Sequence, residues 1–144
     1  DLAGPPGVQL IVCHAPDTCA PDTPALASLL GMADHPALRA GWDPAAALVG
    51  GEAPGAGVAA LAGRIGYVRC ADVAPAGKTW KPASFGEGRV GWDAVVRGLA
   101  KAGYDGPMSL SMQVDPRPKE GLRAATRLHQ FIQKNPPAPR GISR

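Results

Sequence analysis

The chain has 144 residues, 45% of them hydrophobic, with 19 glycines, 16 prolines and a formal net charge of +3. This length and apolar content support one compact domain with its own core and exclude a disordered chain. The positive charge is concentrated in residues 117–144, but these lysines and arginines are dispersed and are not interleaved with aromatic rings. The sequence therefore predicts no nucleic-acid partner.

The cysteine count and the hydropathy pattern bear on the compartment. Cys13, Cys19 and Cys70 form neither an even disulfide framework nor a zinc-ribbon spacing, which favours a reducing compartment. No apolar run reaches the roughly 18 residues of a membrane span, and no signal peptide is recognisable. We therefore expect a cytoplasmic protein without membrane contact. Because the chain begins at Asp1 rather than Met, we also expect a processed or truncated piece of a longer protein.

The first elements alternate between strand and helix. The continuous apolar run from Val8 to Cys13 predicts a strand buried on both faces. A helix follows, with Thr23 as its N-cap and Pro24 at its first position. The segment 37–43 predicts a second, weaker strand.

The second half of the chain continues the alternation, with a glycine- and proline-rich loop at 74–91. The predicted elements are a short helix at 54–63, a strand at 64–73, a helix at 91–104, a strand at 106–113 and a helix at 118–134. The last two helices each carry an apolar stripe, formed by Trp92, Val95, Val96 and Leu99 and by Leu122, Ala125, Leu128 and Ile132. Four strand–helix units in this order predict an α/β fold with parallel strands, either a small open sheet or half of a barrel.

Several motifs between Ala40 and Met112 together resemble the xylose isomerase-like TIM-barrel superfamily of sugar phosphate isomerases and epimerases. These motifs are "RIGYVRCADV", the Gly86-Glu87-Gly88 loop, Trp92 at a helix start, the "GYDG" turn before the last strand, and "AGWDPAAALVGGEAP". The resemblance implies a (β/α)8 barrel, of which residues 1–134 supply about four C-terminal β/α units. The proline-rich residues 135–144 are expected to form a flexible tail. It also implies an N-terminal half-barrel from the same or another chain.

The resemblance further implies a site at the carboxyl ends of the strands. Members of the superfamily hold a divalent metal with Glu, Asp, His and Glu on four successive strands. In chain order, these positions fall at Cys13, Asp43, Arg69 and Ser111. The loosest of these assignments, Cys13, shifts to His14 if the alignment moves by one residue. Asp72 follows Arg69 at the family's spacing, and the family's accessory histidine falls at Ala46.

Only Asp43 retains its ligand type, and a guanidinium at position 69 repels a cation. We therefore expect no cofactor at this site, unless other residues supply ligands to a divalent metal. Two interpretations of Arg69 remain open. It forms an ion pair with Asp43, or it binds a phosphate or carboxylate through paired hydrogen bonds. Asp72 either pairs with Arg69 or caps the following loop.

The remaining candidates carry weaker signals. His14 is adjacent to Cys13 but points to the opposite face of a strand, so Cys–His catalysis is not expected. A buried Cys70 would act as a small hydrophobic residue. The glycine-rich loop at 86–88 either cradles a phosphate through its amides or forms a tight turn. His35 and His129 are expected to be ordinary surface or packing residues.

Taken together, the sequence predicts a sugar phosphate isomerase/epimerase-family protein with a degenerate metal site that binds a small sugar-like, polar or anionic ligand. The alternative is a non-catalytic TIM-barrel subunit with an assembly or regulatory role. Whether the chain is an enzyme stays open at this point.

Overall fold

The computed structural model describes residues 8–53, 55–61, 63–112 and 118–136. Within them the strands are β1 (Leu10–Cys13), β2 (Leu38–Trp42), β3 (Ile65–Cys70), β4 (Asp72–Ala76), β5 (Thr79–Ala83) and β6 (Met108–Leu110). The helices are α1 (Thr23–Ala33), α2 (Pro44–Val49), α3 (Ala56–Ala60), α4 (Trp92–Lys101) and α5 (Pro118–Lys134). The first seven residues, Gln113 of the predicted last strand and residues 137–144 of the predicted tail lie outside the described residues.

The main sheet is parallel throughout, with the strand order β1-β2-β3-β6. Helices connect each strand to the next, as expected for parallel strands, which need long crossover connections. The predicted alternation and the parallel sheet are confirmed. None of the helices in the described ranges is long and apolar enough to cross a membrane.

The core lies on one face of this sheet, between the strands and the helices. Ala40, Trp42, Val68 and Cys70 contribute buried side chains from the strands. From α4, the predicted stripe of Trp92, Val95, Val96 and Leu99 is buried, as its helical spacing indicates. The opposite face of the sheet carries Ile11, Cys13 and Tyr67, because an ideal Cβ on Gly41 would contact all three side chains.

Two predicted features of burial are wrong. Strand β1 is not buried on both faces: Leu10 is 43% and Ile11 40% exposed, because β1 is an edge strand that pairs only with β2 among the described residues. In α5 the buried residues are Ala124 and Leu128, whereas Leu122 is 70% exposed. The helix is therefore rotated relative to the predicted stripe.

Local polar contacts also change some element boundaries. The N-cap of α1 is Asp22, not Thr23, because the carboxylate of Asp22 accepts the Ala25 N–H. Helix α2, which begins directly after Asp43, was not predicted. The loop predicted at 74–91 instead contains most of an antiparallel hairpin of β4 and β5, and Ala71 separates this hairpin from β3.

Candidate functional site

The carboxyl ends of the parallel strands bring three of the predicted site residues into contact. Arg69 lies near the end of β3, while Asp43 directly follows β2. Ser111 directly follows β6, and its N–H donates to the carbonyl of Cys70 at 3.0 Å, which extends the pairing with β3. In barrel and open α/β folds, this edge of the sheet is where active sites lie.

Arg69 bridges the other two side chains. Its Nη1 lies 3.5 Å from Oδ2 of Asp43, and its Nη2 donates a hydrogen bond of 2.9 Å to Oγ of Ser111. The ion pair with Asp43, one of the two interpretations of Arg69, is present, whereas the contact with Ser111 was not predicted. The Arg69 side chain is 43% exposed, so part of the guanidinium still faces solvent.

Asp43 has a structural role besides the ion pair. Its Oδ1 accepts the N–H groups of Ala45 at 2.9 Å and Ala46 at 3.0 Å, which caps the start of α2. Ala46 occupies the position expected for the family's accessory histidine, and its contact with Asp43 is this backbone hydrogen bond. The N–H of Asp43 donates to Nε2 of His14 at 3.3 Å, so the buried histidine helps to fix the backbone of Asp43.

The cysteines at the strand ends differ in environment. Cys13 is exposed, whereas its neighbour His14 is buried, which agrees with the opposite directions expected on a strand. Cys70 is fully buried, and burial, together with the negative charge of Asp43, raises the pKa of its thiol to about 12. Cys70 is therefore protonated at neutral pH and is no nucleophile.

Asp72 lies outside the group that Arg69 holds together. Its buried carboxylate accepts backbone N–H groups from four residues of the following segment: Val73 at 2.9 Å, Gly86 at 2.9 Å, Gly88 at 3.1 Å and Val90 at 3.3 Å. An ideal Cβ on Gly88 would lie 2.0 Å from Oδ1, so glycine is required for this close approach. Asp72 thus caps the loop, and the amides of Gly86 and Gly88 bind this carboxylate rather than a phosphate.

A cavity of about 420 Å³ opens beside the ion pair. Asp43 and Arg69 contribute its charged groups, and the rest of its lining is mostly apolar. The other lining residues are Pro16, Pro21, Ala45, Ala46, Val49, Gly50, Ala71 and Val73. These walls have no signal in the sequence, because they come from the loop after β1, helix α2 and the start of β4, which only the fold brings together.

The residues at this edge do not fit a divalent metal. One oxygen of Asp43 accepts two backbone N–H groups, and the other faces the guanidinium of Arg69, which repels a cation. In the ranges that the structure describes, no group of three or more His, Cys, Asp or Glu side chains is placed to hold a metal ion. A hard cation needs several such ligands.

The comparison with known families agrees with the fold. The family model described as "xylose isomerase-like TIM barrel" matches residues 1–133 of the chain. The chain belongs to this family. The resemblance inferred from the sequence motifs is thereby confirmed.

Solved structures of xylose isomerase-like proteins have the same fold. A xylose isomerase domain protein from Planctomyces limnophilus aligns with a TM-score of 0.70 and 23% identity, over 89% of this chain and 45% of that chain. A xylose isomerase-like TIM barrel protein from Mycobacterium smegmatis, solved in complex with magnesium, gives 0.76 and 16%, over 90% and 45%. A probable 3-DHS dehydratase from Bacillus anthracis gives 0.67 and 17%, over 89% and 50%.

These structural similarities show the fold of the chain and how much of a complete barrel it covers. The chain spans about half of the length of these three structures. Its parallel sheet with covering helices therefore corresponds to a partial (β/α) barrel unit of the xylose isomerase-like type. A comparison with curated proteins found no match.

Proposed function

We propose that this xylose isomerase-like unit binds a small anionic ligand, a phosphate or a carboxylate, at Arg69 and without a metal ion. The main support for this proposal is the position of Arg69. Its side chain lines the cavity, contacts Asp43 and Ser111, and is 43% exposed. A guanidinium has five N–H donors in a planar fork, so Arg69 retains donors for an anion. In a site of the sugar phosphate isomerase/epimerase type, this group would orient the ligand's charged end.

The environment of Arg69 supports this role over a purely structural one. A structural ion pair would need only the contact with Asp43, whereas Ser111 fixes a second nitrogen and sets the plane of the guanidinium. The two contacts hold the side chain before a ligand arrives. Such preorganisation reduces the entropy cost of binding.

Titration calorimetry with inorganic phosphate and with acetate tests the proposal. We expect saturable binding to the wild-type protein and a loss of at least about tenfold in Arg69→Met, since charge-assisted hydrogen bonds are worth about 1.5–3 kcal/mol. Arg97→Gln is the matched control, because Arg97 is an exposed arginine that pairs with Asp93 on α4. Equal phosphate affinity of Arg69→Met and wild type would refute the anion site.

The metal-free part of the proposal is tested with Mn²⁺ on the same protein. We expect no stoichiometric Mn²⁺ after dialysis and elemental analysis. One tightly bound equivalent that disappears in Asp43→Asn would contradict this expectation, because Asp43 is the one family ligand that the chain retains.

The alternative proposal, a non-catalytic barrel subunit with an assembly or regulatory role, draws on the uncovered face of the main sheet. Ile11, at 40% exposure, lies on that face, and Leu10 on the same edge strand is 43% exposed. Apolar side chains on an open edge favour association, here with an N-terminal half-barrel from the same or another chain. Sedimentation of the purified chain tests this proposal. A stable monomer, together with unchanged behaviour of Ile11→Asp, would refute it.

We also propose a cytoplasmic location, which the three free thiols support. Cys13 and Cys19 are exposed and unpaired, as expected of a protein from a reducing compartment.

A further inference from the structure

The main sheet has two open edges. Strands β1 and β6 lie at its ends, and each of them pairs with one other strand among the described residues. On β1 the N–H of Leu10 bonds to the segment before β2, so the backbone groups of Ile11 point away from the sheet. On β6 the N–H of Ser111 bonds to β3, so the backbone groups of Leu110 point away in the same manner. Both edges thus offer donors and acceptors to a further parallel strand.

The sheet is also covered by helices on one face only. Val68 and Cys70 belong to the core on the covered face. Ile11 and Cys13 lie on the opposite face and are exposed. Purely parallel sheets are almost always covered on both faces. A closed barrel of eight strands meets this requirement, because it turns one face inward and leaves no edge. The four strands of this sheet are half of that number.

The two ends of the sheet carry opposite charges. The helices follow the order of the strands, because α1 contacts α3, α3 contacts α4, and α4 contacts α5. At the end formed by β1 and α1, residues 8–38 contain three aspartates and no lysine or arginine. At the other end, residues 118–134 contain two lysines, two arginines and one glutamate. The acidic end of one copy of the chain therefore attracts the basic end of another copy.

We propose that two copies of this chain associate through both of these ends and close an eight-stranded parallel barrel. The two-fold axis of the dimer runs along the barrel, so β6 of each copy lies parallel to β1 of the other copy. This inference rests on the alternative proposal above, association at the open edge of the sheet, and it names a second copy as the partner. Two identical seams form together, because a two-fold axis repeats every contact.

The distribution of charge favours this arrangement over other ways to cover the edges. A suitable partner has a basic end for β1 and an acidic end for β6, and this chain has both in the required order. Pairing of β1 with β1 would instead bring the aspartates of two copies together. Both ends also have apolar side chains to bury, since Met32 on α1 is 79% and Leu122 on α5 is 70% exposed.

Charge variants of the two ends test the arrangement by sedimentation velocity on the full chain. The α1 variant carries Ser28→Lys, Met32→Lys and Asp34→Asn, because asparagine tolerates the left-handed backbone of that position. The α5 variant carries Lys119→Glu and Arg123→Glu. Each variant alone should dimerise at least about tenfold more weakly than the wild type, since like charges meet at both seams. An equimolar mixture should restore a dimer with one chain of each kind, because opposite charges then meet at both seams.

The matched control carries Lys78→Glu and Lys81→Glu. It changes the net charge as much as the α5 variant does, but on the exposed hairpin that follows β3, which is not an edge strand. We expect its dimer to match that of the wild type. Equal weakening in the control and the α5 variant, or a mixture of the α1 and α5 variants that stays monomeric, would overturn the inference. Trimers or open chains of copies would overturn the closed barrel.

A disulfide across the seam gives a second readout. Within one copy, Cys13 on β1 and Ser109 on β6 are three strand spacings apart, about 14 Å, which is too far for a disulfide. Across the proposed seam, the two strands are neighbours. With Cys19→Ser as background, Ser109→Cys or Ser111→Cys should give a covalent dimer under mild oxidation, and the further change Cys13→Ser should abolish it. The absence of a covalent dimer in both cysteine variants would overturn the parallel seam.

A monomeric wild-type chain at about 100 µM would overturn the second copy as the partner. The effect of Ile11→Asp then decides the alternative proposal. If this variant lowers the binding of an apolar dye, the open edge still serves another half-barrel, and the alternative proposal stands without the second copy. If Ile11→Asp changes nothing, both proposals fall. The anion site at Arg69 is independent of either outcome.

Discussion

Nη1 of Arg69 lies 3.5 Å from Oδ2 of Asp43, while Oδ1 of the same carboxylate caps the first turn of α2. Asp43 thus links a helix start to the charged group at the end of the neighbouring strand. In family members that bind a metal, an aspartate at this position is expected to direct an oxygen at the ion. Here both oxygens of Asp43 already have partners within the chain.

This double role of Asp43 predicts different effects of two substitutions. Asp43→Ala should lower the free energy of unfolding by about 1–2 kcal/mol, because the cap of α2 and the ion pair are both lost. Asp43→Asn should cost less than about 0.5 kcal/mol, because asparagine is an equally good N-cap and the exposed part of Arg69 is solvated. Urea denaturation measures both values, and equal losses in the two variants would show that the cap contributes nothing.

Asp72 should be far more sensitive to substitution than an exposed aspartate. Asp72→Asn turns one acceptor oxygen into an amide donor that faces backbone N–H groups, with an expected loss of about 2–3 kcal/mol. Asp93→Asn on α4 is the control, with a loss below about 1 kcal/mol, since Asp93 is half-exposed and paired with Arg97 on the surface. A smaller loss for Asp72→Asn than for Asp93→Asn in the same assay would contradict the capping role.

Gly88 offers a second check on the same contact. Gly88→Ala places a Cβ 2.0 Å from Oδ1 of Asp72, which is far too close, so the loop must move away from the carboxylate. We expect a lower melting temperature and faster amide exchange at Gly86 and Val90, which donate to Asp72. Unchanged exchange at both amides would show that the close approach does not hold the loop.

The buried thiol of Cys70 predicts a loss of stability at alkaline pH. Burial and the charge of Asp43 raise its pKa from 9.0 to about 12 in the folded state, so the unfolded chain releases the proton first. The contribution is fully present below pH 9 and is lost as the pH rises towards 12, at up to about 1.4 kcal/mol per pH unit. Tyr104 acts in the same direction, because burial raises its pKa to about 12.

The difference between wild type and Cys70→Ala isolates the thiol from Tyr104 and from the surface groups. Denaturation between pH 8 and pH 10.5 should give a flatter dependence on pH for the variant, whatever constant loss its cavity causes. Parallel curves for the two proteins would show that the thiol titrates normally in the folded state.

The assignment of ligand positions predicts that a metal site can be rebuilt. The triple substitution Cys13→Glu, Arg69→His and Ser111→Glu restores the family's ligand types around Asp43. We expect this variant to retain about one equivalent of Mn²⁺ after gel filtration, while the wild-type protein retains none. A folded triple variant without bound Mn²⁺ would show that these four positions do not converge on one site.

The predictable part of the fold follows from periodicity, and the unpredicted part follows from contacts between distant segments. Helix α4 could be predicted from its apolar stripe, because a helix repeats its apolar face every three to four residues. The stripe consists of Trp92, Val95, Val96 and Leu99. The exposure of β1 was not predictable, because burial of a strand depends on what packs against its edges. Likewise, the hairpin was not predicted, because both of its strands contain a proline, which is more typical of loops than of strands.

The candidate site shows the same division. The motif spacing predicted Asp43 and Arg69 at the ends of adjacent strands, and their ion pair follows from the parallel pairing of those strands. The role of Asp72 was left between two possibilities, since spacing alone does not tell which donors a buried carboxylate reaches. The apolar walls beside Arg69 gave no sequence signal, because they combine residues of a loop, a helix and a strand that share no motif.

The anchoring of the hairpin at Asp72 has a consequence for how this protein tolerates change. Four hydrogen bonds to one buried carboxylate fix the base of the segment from Val73 to Val90, whereas its tip at Gly77 and Lys78 is exposed. A segment with such a firm base accepts insertions and substitutions at its tip without disturbing the core. Residues 74–83 are therefore a segment that engineered variants can exchange while the strands of the main sheet stay the same.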